Sequence, residues 1–407
     1  MKVLFTFGGL PHYYNPILNR LNRVVGVDIH VLVPKGKSDV LGKGVHQSTS
    51  GIEFTVHYLD EYKAYYGKNY FRGFIPFLKK EKPDIIVTGW PYVLGFILHP
   101  GTVLFFLRTK IKVILKEIPF QVPHFHTLRV FYKHGYFFTE SDDSSAKIPK
   151  PRFYIYAFNA LLRKMYYNRM DAFVNYVEEA YDIIGSYGIP REKIFITYNS
   201  PDTDVLNAIN DKIALQKPIL PPNPQRLIHI GRLVYWKRVD LLLQATALLK
   251  RETPDIESVI IGDGPEKDSL RQLASTLGIE TNVRFIGSVY DAETIGKYLK
   301  ASAVYVLAGM GGLSINEAMC FGKPVVCSVC DGTEKKLVRE NVNGRYFQPG
   351  NEKDLARILR DLLAHPDMID RMGKKSIDII RNEVNVHIVI RGYLQAFSYV
   401  LNEPFTE

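Results

Sequence analysis

The sequence predicts an α/β protein of two doubly wound domains, each a parallel sheet covered by helices. Short apolar runs alternate with amphipathic segments, as in the expected strand Val3–Phe7, helix Tyr14–Val24 and strand Lys112–Lys116, which is the pattern of a parallel sheet. Residues 217–225 hold four prolines in nine positions. Proline lacks the N–H that a helix interior needs, so this stretch predicts a linker. The 407 residues suit two or three domains.

The same alternation runs through both halves of the chain. In the first half it predicts strands at Asp28–Val33, Asp84–Thr88 and Ala172–Tyr176. It predicts helices at Phe71–Lys82 and Phe153–Met170. In the second half we expect strands at Leu227–Ile230, Ser258–Ile261, Val283–Ile286, Val304–Leu307 and Pro324–Cys327. Helices are expected at Asp240–Arg251, Ser269–Leu277, Glu293–Lys300 and Leu313–Phe321, and from Glu352 to about Leu401.

Charge and aromatic residues are unevenly distributed. Residues 1–200 hold 26 Lys and Arg against 16 Asp and Glu, whereas residues 201–407 hold 26 of each. Of the 50 aromatic residues, 37 lie before residue 201. This asymmetry indicates that the first half meets an anionic or amphipathic partner.

Cysteine content and hydropathy indicate a reducing cytoplasm. Only Cys320, Cys327 and Cys330 occur, which argues against a disulfide framework. The first apolar run is too short and too early for a signal peptide. The 23 residues Ile85–Leu107 contain no Asp, Glu, Lys or Arg, but their glycines, prolines and histidine favour a buried strand, a loop and a buried helix over a membrane span.

The residues that suggest chemistry cluster in the second half. Gly231 and Arg232 follow a predicted strand, and Lys237 opens the next helix. Two fixed cations at a strand end suit a diphosphate, and the alternative for these residues alone is a solvated basic turn. A second piece, Gly309-Met-Gly-Gly-Leu-Ser-Ile-Asn-Glu317, brings flexible backbone to a helix N-terminus, which can bind an anion. A carboxylate one turn into that helix can bind ribose hydroxyls.

The order of these pieces resembles the C-terminal domain of retaining glycosyltransferases of the GT-B fold, family 4. The resemblance rests on Gly-Arg-x4-Lys, Ile261-Gly-Asp-Gly-Pro265, Val283-Arg-Phe-Ile-Gly287, the stretch 312–326 and Asn343-Gly344, about 150 residues. It implies that Arg232 and Lys237 bind the donor diphosphate and stabilise the leaving group. It further implies donor contacts in the second half from Gly231, Val289, Gly311, Gly312, Leu313, Ser314 and Glu317.

The resemblance also implies an architecture and a reaction. Two Rossmann-like doubly wound domains would face a central cleft: an acceptor-binding domain at 1–215 and a nucleotide-sugar-binding domain at 226–384. Helix 385–407 would pack back on the first. A hexosyl or N-acetylhexosaminyl group would pass with retention, and without a metal, from a nucleotide-diphosphate sugar, expected to be a UDP-sugar. We expect a saccharide or polyprenyl-linked acceptor and a role in surface polysaccharide synthesis, such as capsule, O-antigen or exopolysaccharide.

The sequence departs from the family pattern at Gly309. Eight residues before Glu317 the family usually carries a second glutamate, which contacts the donor sugar. Because no acidic residue lies between Leu307 and Asn316, we expect that the bare nucleotide diphosphate binds about as well as the nucleotide sugar.

The first half matches the family more loosely. Gly8 and Gly9 resemble the loop that admits the donor. Glu117 follows the strand after which family members often carry a histidine, so it is a candidate catalytic residue that orients the sugar or the acceptor, or else a charged strand end.

Several weaker alternatives remain open. His124 with His126, or Asp202 with Asp204, would be metal ligands, and Cys327 with Cys330 has the spacing of a redox motif. At the level of function, a GT-B nucleotide-sugar epimerase would need no separate acceptor. A nucleic-acid-binding protein would account only for the basic half, so we expect no nucleic-acid partner.

Basic amphipathic segments predict a peripheral contact with an anionic membrane. In residues 126–138, Arg129 and Lys133 share one helical face, and this segment is either a helix on the membrane surface or an ordinary helix packed on the sheet. Helix Phe153–Met170 has an apolar stripe of Ile155, Phe158, Leu162 and Met165, for which we favour packing on the sheet. The expected location is therefore the cytoplasm, at the inner face of the plasma membrane.

Overall fold

The chain forms two compact units. In the computed structural model, one unit comprises Met1–Tyr198 with His387–Glu407, and the other Asn199–Val386. The structure describes residues 1–41, 46–118, 122–134, 152–329 and 332–403, without the side chains of residues 133 and 134.

A seven-stranded parallel sheet organises the first unit. Strands of this unit are β1 (Lys2–Thr6), β2 (Asp28–Pro34), β3 (Thr55–Leu59), β4 (Glu61–Lys63), β5 (Asn69–Phe71), β6 (Ile85–Thr88), β7 (Lys112–Lys116), β8 (Ala172–Asn175) and β9 (Ile194–Ile196). The order in the sheet is β3-β2-β1-β6-β7-β8-β9, and β4 pairs with β5 as a separate antiparallel ribbon. The reversal at β1 is the switch point of a doubly wound fold, where ligands bind outside the carboxyl ends of the strands.

Helices cover both faces of this sheet. They are α1 (Asn15–Asn22), α2 (Phe74–Glu81), α3 (Gly95–Leu98), α4 (Pro100–Phe106), α5 (Leu128–His134), α6 (Phe153–Tyr167) and α7 (Ala180–Gly185). The central strands are buried along their length, because a parallel sheet packs helices on both sides.

The second unit has the Rossmann strand order. Its strands are β10 (Arg226–Ile230), β11 (Glu257–Ile261), β12 (Val283–Gly287), β13 (Val304–Leu307), β14 (Val325–Cys327) and β15 (Gly344–Tyr346). They pair in parallel as β12-β11-β10-β13-β14-β15, so the switch point lies between β10 and β13. Its helices are α8 (Thr203–Ile213), α9 (Val239–Lys250), α10 (Lys267–Thr276), α11 (Ala292–Lys300), α12 (Ser314–Cys320), α13 (Thr333–Leu337), α14 (Glu352–Leu363) and α15 (Pro366–Asn382).

The last helix, α16 (Val386–Leu401), returns to the first unit. Tyr393 is buried, its ring lies 5.9 Å from that of Phe5, and its hydroxyl contacts the Tyr14 hydroxyl. Gly392 lies against Thr197, where a Cβ would come within 2.9 Å of the Thr197 Cα. A small residue is therefore needed where the helix meets the backbone after β9.

Segment Ile85–Leu107 does not form a continuous helix. Strand β6 is followed by a 3-10 turn at Tyr92–Leu94 and by α3 and α4. The prediction of a strand, a loop and a helix is confirmed, but α4 is not buried, since Leu104 is 49% exposed. Over residues 1–41, 46–118, 122–134, 152–329 and 332–403, no helix is long and apolar enough to cross a membrane.

Helix α6 corrects one prediction. We favoured packing of its apolar stripe on the sheet, yet Ile155, Phe158 and Met165 are 41%, 59% and 57% exposed. The side chains that pack inward are instead Ala160, Tyr166 and Tyr167. The helix is apolar on both sides, so its stripe alone did not show which side faces the core.

Candidate functional site

The loop after β10 is held by the turn Ile261–Pro265. Gly231 donates its N–H to the Ile261 carbonyl at 2.9 Å, and Leu233 donates to the Asp263 carbonyl at 2.9 Å. A Cβ at Gly262 would lie 1.8 Å from the Gly231 oxygen, and one at Gly264 would lie 2.3 Å from the Leu233 oxygen. The two glycines of this turn therefore permit the backbone contact that shapes the Gly231–Arg232 loop.

Lys237 joins the two pieces of the predicted phosphate site. It ends a 3-10 turn at Tyr235–Lys237 and is 8% exposed. Its ammonium donates to the carbonyls of Met310 at 2.8 Å and Gly311 at 2.6 Å. A Cβ at Gly312, whose φ is +156°, would lie 3.3 Å from the Lys237 Nζ. A fixed cation therefore lies within the glycine loop that follows β13.

Gly309 has no room for a side chain. A Cβ there would lie 2.2 Å from the Trp236 oxygen and 2.7 Å from the Lys237 carbonyl carbon. The adjacent Met310 N–H donates to the same Trp236 oxygen at 2.8 Å. A glutamate at position 309 would thus displace the turn that carries Lys237.

Glu317 carries a partly buried carboxylate in the first turn of α12. Within the described part of the chain, no hydrogen bond or ion pair reaches this carboxylate, and burial raises its pKa to about 7. A carboxylate held in this way normally has a partner, because desolvation without one costs free energy. Glu317 is therefore suited to accept hydrogen bonds from a ligand.

Four further predicted residues of the second unit have their local surroundings defined by the structure. Arg232 is partly exposed, and its guanidinium lies 6.0 Å from the Trp236 ring centroid. Ser314 accepts a hydrogen bond from the Tyr305 hydroxyl at 2.7 Å. Leu313 is the residue that precedes α12. Val289 lies in the loop after β12 and is partly buried.

His229 is a polar residue beneath this loop that sequence reasoning missed. It is 1% exposed, and one ring nitrogen, Nδ1, lies 3.0 Å from the Val306 carbonyl. Burial lowers its pKa to about 4, so it is neutral at neutral pH. Its Nε2 has no hydrogen-bond partner among the residues that the structure describes, and it lies 3.3 Å from the Cβ position of Gly231. The available signal was a histidine inside the apolar strand Leu227–Ile230.

Gly8 and Gly9, in the first unit, are covered by a neighbouring segment. A Cβ at Gly8 would lie 2.7 Å from the Val40 Cβ, and one at Gly9 would lie 2.4 Å from the Gln47 Oε1. Gln47 Oε1 also accepts the Leu10 N–H at 3.1 Å. Close packing against Val40 favours glycine at position 8, whereas at position 9 the side chain of Gln47 would have to move. The donor contact of both residues remains a prediction.

Glu117 belongs to a buried polar cluster in the first unit. Its carboxylate lies 3.4 Å from the Arg163 Nε and accepts a hydrogen bond from the Tyr167 hydroxyl. Burial raises its pKa, and the positive charge of Arg163 partly opposes this shift. These contacts give Glu117 a structural role that by itself explains a carboxylate at this position. The catalytic role of Glu117 remains a prediction.

The weaker candidates have local structural roles. Asp202 caps α8, accepting the Val205 N–H at 3.3 Å. His124 Nε2 lies 3.6 Å from the Asp182 carboxylate. Cys327 is buried in β14, and Cys330 lies outside the described residues.

Part of this chain is similar to known glycosyltransferases. Residues 210–378 match the family model "Glycosyl transferases group 1". An uncharacterized glycosyltransferase of Haemophilus influenzae is 30% identical over 178 residues, which are 41% of this chain and 50% of that protein. The lipopolysaccharide core biosynthesis glycosyltransferase LpsE of Rhizobium meliloti is 26% identical over 57% of this chain and 66% of its own length. The matched part of the chain thus spans about half to two thirds of the length of these curated relatives.

Solved structures share the fold along the whole chain. A glycosyltransferase from Rickettsia africae superposes with a TM-score of 0.68 at 13% identity, covering 99% of both chains. Anabaena HepE, solved in complex with UDP, gives 0.65 at 17% identity over 98% of this chain and 100% of that one.

The two Rossmann-like units define a protein of the GT-B fold class, as the sequence predicted. Residues 210–378 are similar to the glycosyl transferases group 1 family, whose model they match.

Proposed function

We propose that this protein is a retaining glycosyltransferase that takes a hexosyl or N-acetylhexosaminyl group from a nucleotide-diphosphate sugar, with UDP as the expected nucleotide. The reaction needs no metal, because the fixed cations of the second unit take the charge of the leaving diphosphate. The acceptor is a saccharide or a lipid-linked saccharide used in surface polysaccharide synthesis.

The carboxylate of Glu317, which no hydrogen bond or ion pair reaches within the described residues, is the observation that carries this proposal. It lies on the helix that follows the glycine loop, and that same loop holds the ammonium of Lys237. One loop therefore presents a cation for a phosphate and an acceptor for ribose hydroxyls. A nucleoside diphosphate carries both groups, and a UDP complex of the similar fold of Anabaena HepE supports the choice.

Stabilisation of the leaving group is the main chemical contribution of this site. As the glycosidic bond breaks, negative charge grows on the β-phosphate. Lys237 is held by two carbonyls, so its charge needs little reorganisation when the phosphate arrives. Arg232, at the end of β10, adds a planar guanidinium that can bind two phosphate oxygens.

Calorimetry with UDP, GDP and ADP tests the nucleotide site. We expect Arg232→Ala and Lys237→Met each to weaken binding by about 1.5–3 kcal/mol, the contribution of a hydrogen bond to a charged group. Arg238→Gln is the matched control, because Arg238 is the next residue and pairs with Asp240 at 2.9 Å. Unchanged affinity in both site variants would exclude this site.

The surface of α6 supports a membrane-proximal acceptor. Tyr154, Phe158, Leu161 and Met165 are 63%, 59%, 53% and 57% exposed. Arg152 and Arg169 flank them and are exposed, and the sequence from 152 to 170 contains no acidic residue. An apolar stripe beside basic residues suits the interface of an anionic bilayer. Arg129 lies near it, with its guanidinium 5.7 Å from the Phe153 ring, while the side chain of Lys133 is outside the described residues.

Co-sedimentation with vesicles tests the membrane contact. We expect binding to vesicles that contain acidic lipid, weakening at high salt as the Debye length falls from about 10 Å to about 3 Å. The double variant Phe158→Ser, Met165→Ser should reduce binding, whereas Leu215→Ser, at a side chain that is 98% exposed in the second unit, should not. Equal binding to neutral vesicles, or none to either kind, would favour a soluble acceptor.

A further inference from the structure

Three potential metal ligands converge in the first unit, on β2, β3 and the end of α2. His30, His57 and Glu81 each place one ligand atom so that all three lie within 4.8 Å of one another. The Nδ1 of His30 lies 2.7 Å from the Nε2 of His57, and the two rings stack with centroids 5.0 Å apart. Two imidazole nitrogens, joined by a hydrogen bond, and a carboxylate therefore lie within reach of one ion.

The surrounding residues orient both histidines. The Nε2 of His30 lies 3.0 Å from an Asp28 carboxylate oxygen. When the hydrogen of His30 is on Nε2, it binds that carboxylate, and the Nδ1 lone pair accepts a hydrogen bond from the His57 Nε2–H. A metal would replace this proton between the two rings. Carboxylates that hold the second nitrogen of a ligating histidine are a regular feature of metal sites. His30 is 7% exposed, and the His57 ring packs edge-on against Phe77 at 5.0 Å, so neither ring rotates freely.

Two lysines compete for the third ligand. Lys2 lies 3.4 Å from one oxygen of Glu81, and Lys80 lies 3.9 Å from the other. A bound cation would replace one of these ammonium groups. Because Lys80 is 83% exposed in its side chain, its displacement costs little.

The cluster lies away from the edge of the sheet at which a donor would bind. Glu81 ends the helix that leads into β6, and Lys2 begins β1, so the cluster is near the amino ends of these strands. A metal here would tie two strands to a helix, and this role is independent of the metal-free transfer reaction.

We propose that His30, His57 and Glu81 form a binding site for a divalent transition metal, with Zn²⁺ as the preferred ion. Imidazole nitrogen together with one carboxylate is a ligand set that zinc favours. Water completes the tetrahedron, and Asp28 is a positioning residue for His30.

Titration of the untagged full chain with ZnCl2, after removal of metals by chelator, tests this site. Calorimetry should show one saturable ion per chain, and thermal unfolding should shift upward, because the ion binds the folded state. His57→Gln and Glu81→Gln should each weaken Zn²⁺ binding at least about tenfold, and Asp28→Asn should weaken it about ten- to a hundredfold. Lys80→Gln should tighten binding, since it removes a competitor.

A matched control separates this site from adventitious binding. His365 lies 3.7 Å from the Asp361 carboxylate but belongs to no such cluster among the described residues, so His365→Gln should leave the affinity unchanged. No saturable binding, or binding that both His57→Gln and Glu81→Gln leave intact, would overturn the proposal. If His57→Gln fails to fold, Glu81→Gln, an isosteric change at a partly exposed residue, decides the question alone.

Discussion

Replacing Glu317 by glutamine should stabilise the protein at alkaline pH and weaken its nucleotide site. Burial raises the pKa of this carboxyl from 4.5 to about 7 in the folded protein. Below about pH 4.5 the carboxyl is protonated in both the folded and the unfolded state, and it contributes no pH dependence. Between the two pKa values only the unfolded state releases the proton, so the free energy of unfolding falls as pH rises.

The magnitude follows from the two pKa values. One pKa unit corresponds to 1.36 kcal/mol, so the shift costs about 3 kcal/mol in all, and about 2.5 kcal/mol of this develops between about pH 5 and pH 8. Because the side chain is partly exposed, both free energies are upper limits. The Glu317→Gln variant has no such cost, so its stability relative to the wild type should increase by up to this amount over the interval.

Denaturant unfolding at the two pH values measures this difference. Other titrating groups, including His229, contribute equally to both proteins and cancel in the comparison. Glu280→Gln, at an exposed residue of the same unit, is the control and should show no such trend. A difference between wild type and Glu317→Gln that stays constant from about pH 5 to pH 8 would refute the argument that Glu317 is held unpaired.

The same variant should bind nucleotide less tightly, which separates a ligand-binding role from a purely structural one. Ribose hydroxyls donate to the ionised carboxylate, so wild-type affinity for UDP should rise between about pH 5.5 and pH 8 as Glu317 loses its proton. Glu317→Gln should lose most of this pH dependence. A gain in stability with unchanged UDP affinity would show that the ribose contact is made elsewhere.

Two further predictions concern packing. Gly309→Ala places a methyl group 2.2 Å from the Trp236 oxygen, so it should lower stability by about 1–3 kcal/mol in urea unfolding and should also weaken UDP binding. Gly36→Ala is the control, because a Cβ there meets nothing within 4 Å, and it should change neither property. Equal behaviour of the two variants would contradict the role of the Trp236–Lys237 turn. Glu117→Gln leaves Arg163 without its charged partner and should cost about 3 kcal/mol, partly recovered by adding Arg163→Met. Unchanged stability with lost turnover would instead support a catalytic Glu117.

Strong local patterns made most strands predictable. Lys112–Lys116 and Val304–Leu307 were predicted with the bounds that the structure shows, because both are short runs with apolar residues that are buried on two faces. Strand β3 was missed because it lies at the sheet edge, where exposed Thr55 and Tyr58 break the apolar pattern. Helix α8 was missed because Asp202 and Asp204 were considered only as metal ligands, whereas Asp202 is the N-cap of this helix.

The sequence by itself determined the two Rossmann-like sheets and the glycine and basic residues that follow their strands. The order Gly231, Arg232, Lys237 and Glu317 could be recognised because each residue type serves a defined chemical need at its position. Tertiary structure alone decided three other properties. It placed the Lys237 ammonium on two loop carbonyls, it closed the space at Gly309, and it turned the apolar stripe of α6 to the surface. These properties depend on contacts between residues distant in sequence, which a local pattern does not record.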